Sequence, residues 1–121
     1  MSESTQSTFD PLIGANDVEG TDVYHVLGEK IGTIENLLID KVSGKVIYAV
    51  MSFGGFLGVG RQHHPLPWFV LKYDNDKLGY VVDLDRKVLE NAPSYDMDED
   101  FIWTPEYGRT VDKYYSTPLS S

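Results

Sequence analysis

The sequence predicts an all-β protein: a small, mainly antiparallel β-barrel with a short helical turn after its last strand and an aromatic, partly helical C-terminal tail. Two observations carry this prediction. Short apolar stretches alternate with glycine-containing turns at intervals of roughly ten residues. Very little of the chain has helical periodicity, so strands must supply most of the core. Closure into a barrel is favoured because it removes exposed strand edges.

The chain divides into three parts. Its 121 residues are enough for one domain that buries about two-thirds of its unfolded surface. Residues 1–8 are mostly small and polar, and we expect residues 1–9 to form a flexible N-terminal arm. The barrel domain is expected over residues 10–93. Residues 94–121 are expected to form an acidic, aromatic extension that packs on the barrel.

The strands of the predicted barrel are residues 22–27, 31–40, 45–53, 68–73 and 79–84. Asn36 interrupts the apolar alternation of the second strand, as a β-bulge would. Ser43-Gly44 provides the positive φ of the tight turn that follows. Residues 61–67 are expected to be extended, because each proline disfavours helix at the residue before it.

The strand over residues 45–53 is apolar on both faces. Val46, Tyr48 and Val50 lie on one side, and Ile47, Ala49, Met51 and Phe53 lie on the other. A strand with one solvated face would alternate, so the second face must be covered. Another sheet layer, the rest of the chain or a second subunit could each cover it.

Helical structure is expected only towards the C-terminus. Asp85 can cap a short helical turn that Pro93 ends. Thr104-Pro105-Glu106 has the cap, the fixed φ and the acidic residue of a helix start. Gly108 is expected to interrupt that helix, and Thr110 to begin a second one.

Charge and composition exclude several functions. The net charge is −9, and the ten Lys and Arg residues are scattered, so we expect no nucleic-acid partner. The absence of cysteine excludes disulfides and Cys-ligated metals. No apolar run approaches the length of a membrane span, so we expect no membrane insertion. The N-terminus lacks the basic and apolar regions of a secretory signal, which favours a cytoplasmic location.

No motif in the sequence supports catalysis or a cofactor, so we assign neither catalytic residues nor metal ligands. The glycine-rich loop over residues 54–60 instead carries exposed-looking apolar side chains. The partner-binding candidates are Phe53, Gly54, Gly55, Phe56, Leu57, His63, His64 and Trp68. The alternative is a small-ligand or metal site that uses this loop with His63 and His64, although adjacent residues of an extended chain point to opposite sides.

The order of the glycine turns, the central strand and the Pro-Leu-Pro-Trp segment resembles the PRC-barrel family. The segments that carry the resemblance are residues 20–24, 28–34, 39–50, 53–58 and 65–68. The family includes the cytoplasmic domain of the photosynthetic reaction-centre H subunit and the C-terminal domain of a ribosome-maturation factor. The resemblance implies a compact, mainly antiparallel barrel without a catalytic site, used for binding or assembly.

These observations together predict a non-enzymatic, cytoplasmic PRC-barrel module that acts through protein–protein contacts. Its expected partners are a second copy of the chain, in a homodimer, and an unidentified protein. The acidity is concentrated in the tail, since residues 90–121 hold seven of the 19 acidic residues and only two basic ones. A partner that recognises charge is therefore expected to contact the tail.

Overall fold

Short strands and three helices make up the structure, a computed structural model that describes residues 12–54, 61–96 and 100–116. The helices are α1 (Ala15–Val18), α2 (Arg86–Glu90) and α3 (Pro105–Ser116). The strands are β1 (Asp22–His25), β2 (Lys30–Ile39), β3 (Val46–Gly54), β4 (Arg61–Pro67), β5 (Lys72–Asp74), β6 (Gly79–Val82) and β7 (Tyr95–Asp96). The N-terminal arm expected over residues 1–9 lies outside the described residues.

The seven strands form one mixed sheet in the order β5-β6-β1-β2-β3-β4-β7. Every neighbouring pair is antiparallel except β1 with β6, which is parallel. The prediction of a mostly β, mainly antiparallel fold is therefore confirmed.

The predicted closure of the barrel is not confirmed. Within the described residues, β5 and β7 are the two edges of the sheet and are not paired with each other. β5 has three residues and β7 has two. Short edge strands expose few unpaired backbone N–H and C=O groups, so they offer little backbone to which another chain could pair.

The long second strand and its bulge agree with the sequence. The register of β2 against β3 shifts between Ile34 and Asn36, which confirms the bulge predicted at Asn36. The bulge lets β2 remain apolar on the core side although its simple alternation is broken. Ile34 is fully buried, whereas Asn36 is exposed.

The strand predicted over residues 68–73 is wrong in its first half. Trp68–Val70 forms a 3₁₀ turn, in which the N–H of Leu71 donates to the carbonyl oxygen of Trp68 (3.1 Å). The turn brings the Trp68 ring against Tyr80 of β6, with the ring centroids 5.4 Å apart. Trp68, Phe69 and Val70 are therefore not part of a strand, and strand pairing begins only at Lys72.

The hydrophobic core packs around the central strands and includes side chains of both α2 and α3. Its fully buried apolar side chains include Val23, Ile34, Met51, Leu66, Val82, Leu89 and Val111. Leu89 belongs to α2, the short helix predicted after residue 85. Asp85 is at its N-cap position as expected, but its side chain makes no capping hydrogen bond.

The C-terminal helix α3 is continuous, contrary to the break predicted at Gly108 and the new start at Thr110. Its beginning agrees with the sequence, since the Thr104 hydroxyl accepts a hydrogen bond from the N–H of Tyr107 (3.1 Å). A Cβ atom at Gly108 would lie 3.2 Å from the Trp103 ring, so the glycine allows close packing of α3 without ending it. Neither α3 nor any other described helix is long and apolar enough to cross a membrane.

Candidate functional site

The second apolar face of β3 is covered by the C-terminal part of the same chain. The Tyr48 hydroxyl donates to the Asp112 carboxylate of α3 (2.7 Å), and the Tyr48 ring packs on Trp103, with centroids 4.7 Å apart. Burial raises the pKa of Tyr48, and the hydrogen bond to Asp112 and its negative charge raise this pKa further. This part of the strand therefore needs no second subunit to bury it.

Aromatic rings of the tail continue this cover from β7 to α3. Tyr95 stacks on Phe101 (3.9 Å between centroids), Phe101 contacts Tyr107 (4.8 Å), and Tyr107 contacts Trp103 (5.3 Å). Burial raises the pKa of Tyr95, which keeps this phenol neutral. The rings pack against one another, while acidic residues of the same segment, such as Asp100 and Glu106, are exposed.

The two adjacent histidines lie on opposite faces of β4. His63 is opposite Ser52 of β3 and its ring contacts Tyr95, with centroids 5.3 Å apart. His64 is opposite Met51 and its ring contacts Phe53 on the core side, at 5.1 Å. The two imidazoles therefore cannot bind one ion together. Among the described residues, no group of three or more His, Asp or Glu side chains is placed to hold a metal.

His64 is a buried titratable group. Its side chain is 2% exposed, and in the described part of the chain its Nδ1 atom has no hydrogen-bond partner. Burial and, to a smaller extent, the neighbouring His63 together lower the pKa of His64 to about 4. The imidazole is therefore a neutral core group at neutral pH.

This burial predicts a pH-dependent stability. The folded-state pKa of His64 is below the unfolded value of 6.5, so the unfolded chain binds the proton more tightly. The stabilisation from neutral His64 is present above pH 6.5 and is lost as the pH falls towards 4. The free energy of unfolding should decrease by about 3 kcal/mol over this range. Urea unfolding of the wild type and His64→Leu between pH 7 and 4 measures it. The variant should lose less stability than the wild type, and parallel curves would contradict the prediction.

Among the residues proposed from the sequence as partner contacts, those that the structure describes do not form one surface. Phe53 and His64 are buried in the core, at 4% and 2% exposure. Trp68 is half-buried against Tyr80, and His63 is half-buried on the opposite face from His64. Gly54 ends β3. Gly55, Phe56 and Leu57 lie outside the described residues.

An apolar groove instead lies at the turn end of the β2–β3 hairpin, where Ile39 and Asp40 precede the turn and Ile47 and Tyr48 follow it. It has a volume of about 360 Å³ and opens to solvent between the hairpin and the Trp103 ring. Ile39 and Ile47 line it and are 47% and 40% exposed. Ile102, next to Trp103 in the chain, is 79% exposed.

The turn beside this groove holds a valine in solvent. The Asp40 carboxylate accepts hydrogen bonds from the N–H groups of Val42 (2.8 Å) and Ser43 (3.1 Å), and Gly44 adopts a φ of +79°. These bonds order the turn. Val42 is nevertheless 97% exposed.

We call Ile39, Val42, Ile47 and Trp103 the hairpin surface. Exposed apolar side chains grouped around a groove are typical of a protein contact, whereas single exposed ones are common everywhere. Sequence reasoning did not find this surface. The available signal was Val42 itself, a β-branched apolar residue in an Asp-Lys-Val-Ser-Gly turn, where polar residues predominate.

The fold and the site define a small β-sheet domain with exposed apolar side chains at its β2–β3 hairpin. Residues 10–89 match the PRC-barrel domain family, which is about two-thirds of the chain. The chain belongs to the PRC-barrel family, as the resemblance in its sequence predicts. The match ends at Leu89 in α2, so β7 and α3 lie beyond it. A search of curated proteins found no match.

Proposed function

We propose that this PRC-barrel protein is a non-enzymatic module that binds a protein through its hairpin surface. The observation that supports this proposal most directly is that Val42 is exposed in an ordered turn beside an open apolar groove. Keeping an apolar side chain in water has no structural benefit for the chain alone. Its burial against a partner would contribute roughly 1.5–3 kcal/mol, the usual value for a buried aliphatic side chain.

The environments of the titratable side chains support a non-enzymatic role. His64 packs inside the core, and the Tyr48 hydroxyl is engaged by Asp112. The Tyr114 hydroxyl donates to the carbonyl oxygen of Val88 (2.6 Å), which holds α3 against α2. These groups take part in the internal packing of the chain. We further propose a cytoplasmic location and, from the net charge of −9, no nucleic-acid partner.

Affinity capture from a lysate of the source cells tests the proposed function. The baits are the wild type, Val42→Asp and the control Leu27→Asp. Leu27 is 87% exposed in the turn before β2, at the opposite end of that strand from Val42, roughly 30 Å away. Both variants add one negative charge at an exposed turn position, and both should keep the wild-type melting temperature.

We expect the wild type and Leu27→Asp to capture the same protein, and Val42→Asp to recover at least tenfold less of it by quantitative mass spectrometry. A tenfold loss corresponds to about 1.4 kcal/mol, less than the burial of one valine provides. Equal recovery by all three baits would overturn the assignment of binding to the hairpin surface.

A further inference from the structure

We infer that Tyr48 is a redox-active tyrosine, which gives an electron to an oxidised Trp103 ring and its phenolic proton to the Asp112 carboxylate. The inference goes beyond the proposed function, since it needs no partner and concerns the reactivity of the chain itself. Three features carry it: the hydrogen bond of Tyr48, the contact of its ring with Trp103, and the open groove that Trp103 lines.

The hydrogen bond supplies an acceptor for the phenolic proton. A phenol that loses an electron becomes a strong acid, so a tyrosine is oxidised readily where a base can take its proton at the same time. The Tyr48 hydroxyl lies 2.7 Å from the Asp112 carboxylate and 3.4 Å from the carbonyl oxygen of Gly108. The shorter contact, to the charged acceptor, holds the proton. Before oxidation the phenol stays neutral, because burial and its interaction with Asp112 raise the pKa of Tyr48.

The products of the transfer are compatible with the burial of Tyr48. The side chain of Tyr48 is buried, whereas Asp112 is exposed on α3. After the transfer Tyr48 is a neutral radical and Asp112 is a neutral carboxylic acid. No uncompensated charge is therefore left in the core, and the exposed acid can release its proton to water.

The ring contact provides the path for the electron. The centroids of Tyr48 and Trp103 lie 4.7 Å apart, and Trp103 lines the open groove, where a small radical oxidant such as the carbonate radical anion can reach it. The oxidant takes one electron from Trp103 and becomes carbonate. The Trp103 radical cation then takes one electron from Tyr48, whose O–H bond breaks as Asp112 accepts the proton. The products are neutral Trp103, the Tyr48 radical and protonated Asp112.

The second of the two tryptophans offers a comparison within the same chain. Trp68 contacts Tyr80 at 5.4 Å between ring centroids. In the described part of the chain, no carboxylate accepts a hydrogen bond from the Tyr80 hydroxyl, so this pair has a similar ring contact without the proton acceptor. The chain also has no cysteine to take up oxidising equivalents, which leaves a larger share to its aromatic rings.

Flash photolysis with a photo-oxidised ruthenium polypyridyl complex as the one-electron oxidant tests the inference. The full chain carries Trp68→Phe, so that every tryptophanyl signal comes from Trp103. We expect the tryptophanyl absorption to decay as the tyrosyl absorption rises, and electron paramagnetic resonance of frozen samples to show a tyrosyl radical. Tyr48→Phe and Asp112→Asn should each slow the decay at least tenfold, which is about 1.4 kcal/mol in activation free energy.

The Asp112→Asn variant separates proton acceptance from packing. Asparagine keeps an oxygen that can accept the hydrogen bond, but its amide does not take up a proton at neutral pH. Asp112 is exposed, so the variant should keep the circular dichroism spectrum of the parent chain and remains informative even if Tyr48→Phe unfolds.

The matched control is Tyr107→Phe. It removes the other tyrosine that contacts Trp103, at 5.3 Å between ring centroids, and should leave the decay of the Trp103 radical unchanged. A parent chain that forms no tyrosyl radical would overturn the inference. So would an Asp112→Asn chain that decays as fast as the parent, or a decay that slows in Tyr107→Phe alone.

Discussion

Replacing Gly32 with alanine is expected to destabilise the fold by at least about 3 kcal/mol, the upper range for overpacking a tightly packed site. Gly32 lies in β2, opposite Phe53 of β3. A Cβ atom there would lie 2.3 Å from the carbonyl oxygen of Ser52 and 2.9 Å from Cγ of Met51. The first contact is with backbone, so relief requires β2 and β3 to move apart rather than a side chain to rotate.

Urea unfolding followed by circular dichroism measures this loss for Gly32→Ala. Gly14→Ala is the matched control, because its added Cβ would meet the side chain of Asn16 at 3.0 Å, which can rotate away. We expect the control to change the free energy of unfolding by less than about 1 kcal/mol. Equal losses in the two variants would show that the close approach at Gly32 can relax.

Replacing Val111 with aspartate is expected to cost at least about 4 kcal/mol, which is most of the stability of a typical small domain. Val111 lies on α3, is fully buried and belongs to the same core cluster as Tyr115 and Leu66. The substitution removes apolar burial and places a carboxylate at a fully buried position, so either α3 detaches or the carboxylate binds a proton.

The control for this substitution is Thr110→Asp, which adds the same charge to an exposed position of the same helix. Urea unfolding and tryptophan fluorescence should both report the loss in Val111→Asp, because Trp103 packs between Tyr48 and Tyr107. A Val111→Asp chain as stable as Thr110→Asp would contradict the view that α3 is part of the core.

These two substitutions test two parts of the chain: the segment that matches the PRC-barrel family and the extension beyond it. Gly32 belongs to the segment that matches the PRC-barrel family, and its effect would be a property of the sheet. Val111 lies beyond the matched residues, yet it is buried in the same core. The extension is therefore expected to act as a structural part of this chain rather than as a loose tail.

Local sequence features predicted several strands, turns and helix starts. The bulge at Asn36, the turn around Gly44, the short helix after Asp85 and the helix start at Thr104 all follow from interactions between residues close in the chain. The physical causes are a broken alternation at Asn36, a required positive φ at Gly44 and a hydroxyl cap at Thr104, whereas the Asp85 side chain makes no capping hydrogen bond.

The errors occurred where distant residues compete with local preference. Trp68 leaves the expected strand geometry where its ring packs on Tyr80. Gly108 remains helical because Trp103 and Tyr48 occupy the space beside it, although glycine alone disfavours a helix. Phe53 and His64 were expected at a contact surface and are core residues, with their rings in contact at 5.1 Å between centroids.

By itself, the sequence determined the family, the mainly antiparallel β-strands and the doubly apolar third strand that had to be covered. Only the tertiary structure decided what covers it: α3 and Trp103 of the same chain, through Tyr48 and Asp112. It also placed the exposed apolar surface at Val42 and its groove. The physical reason is that alternation along a strand reports which side chains are apolar, whereas burial depends on which distant segment packs against them.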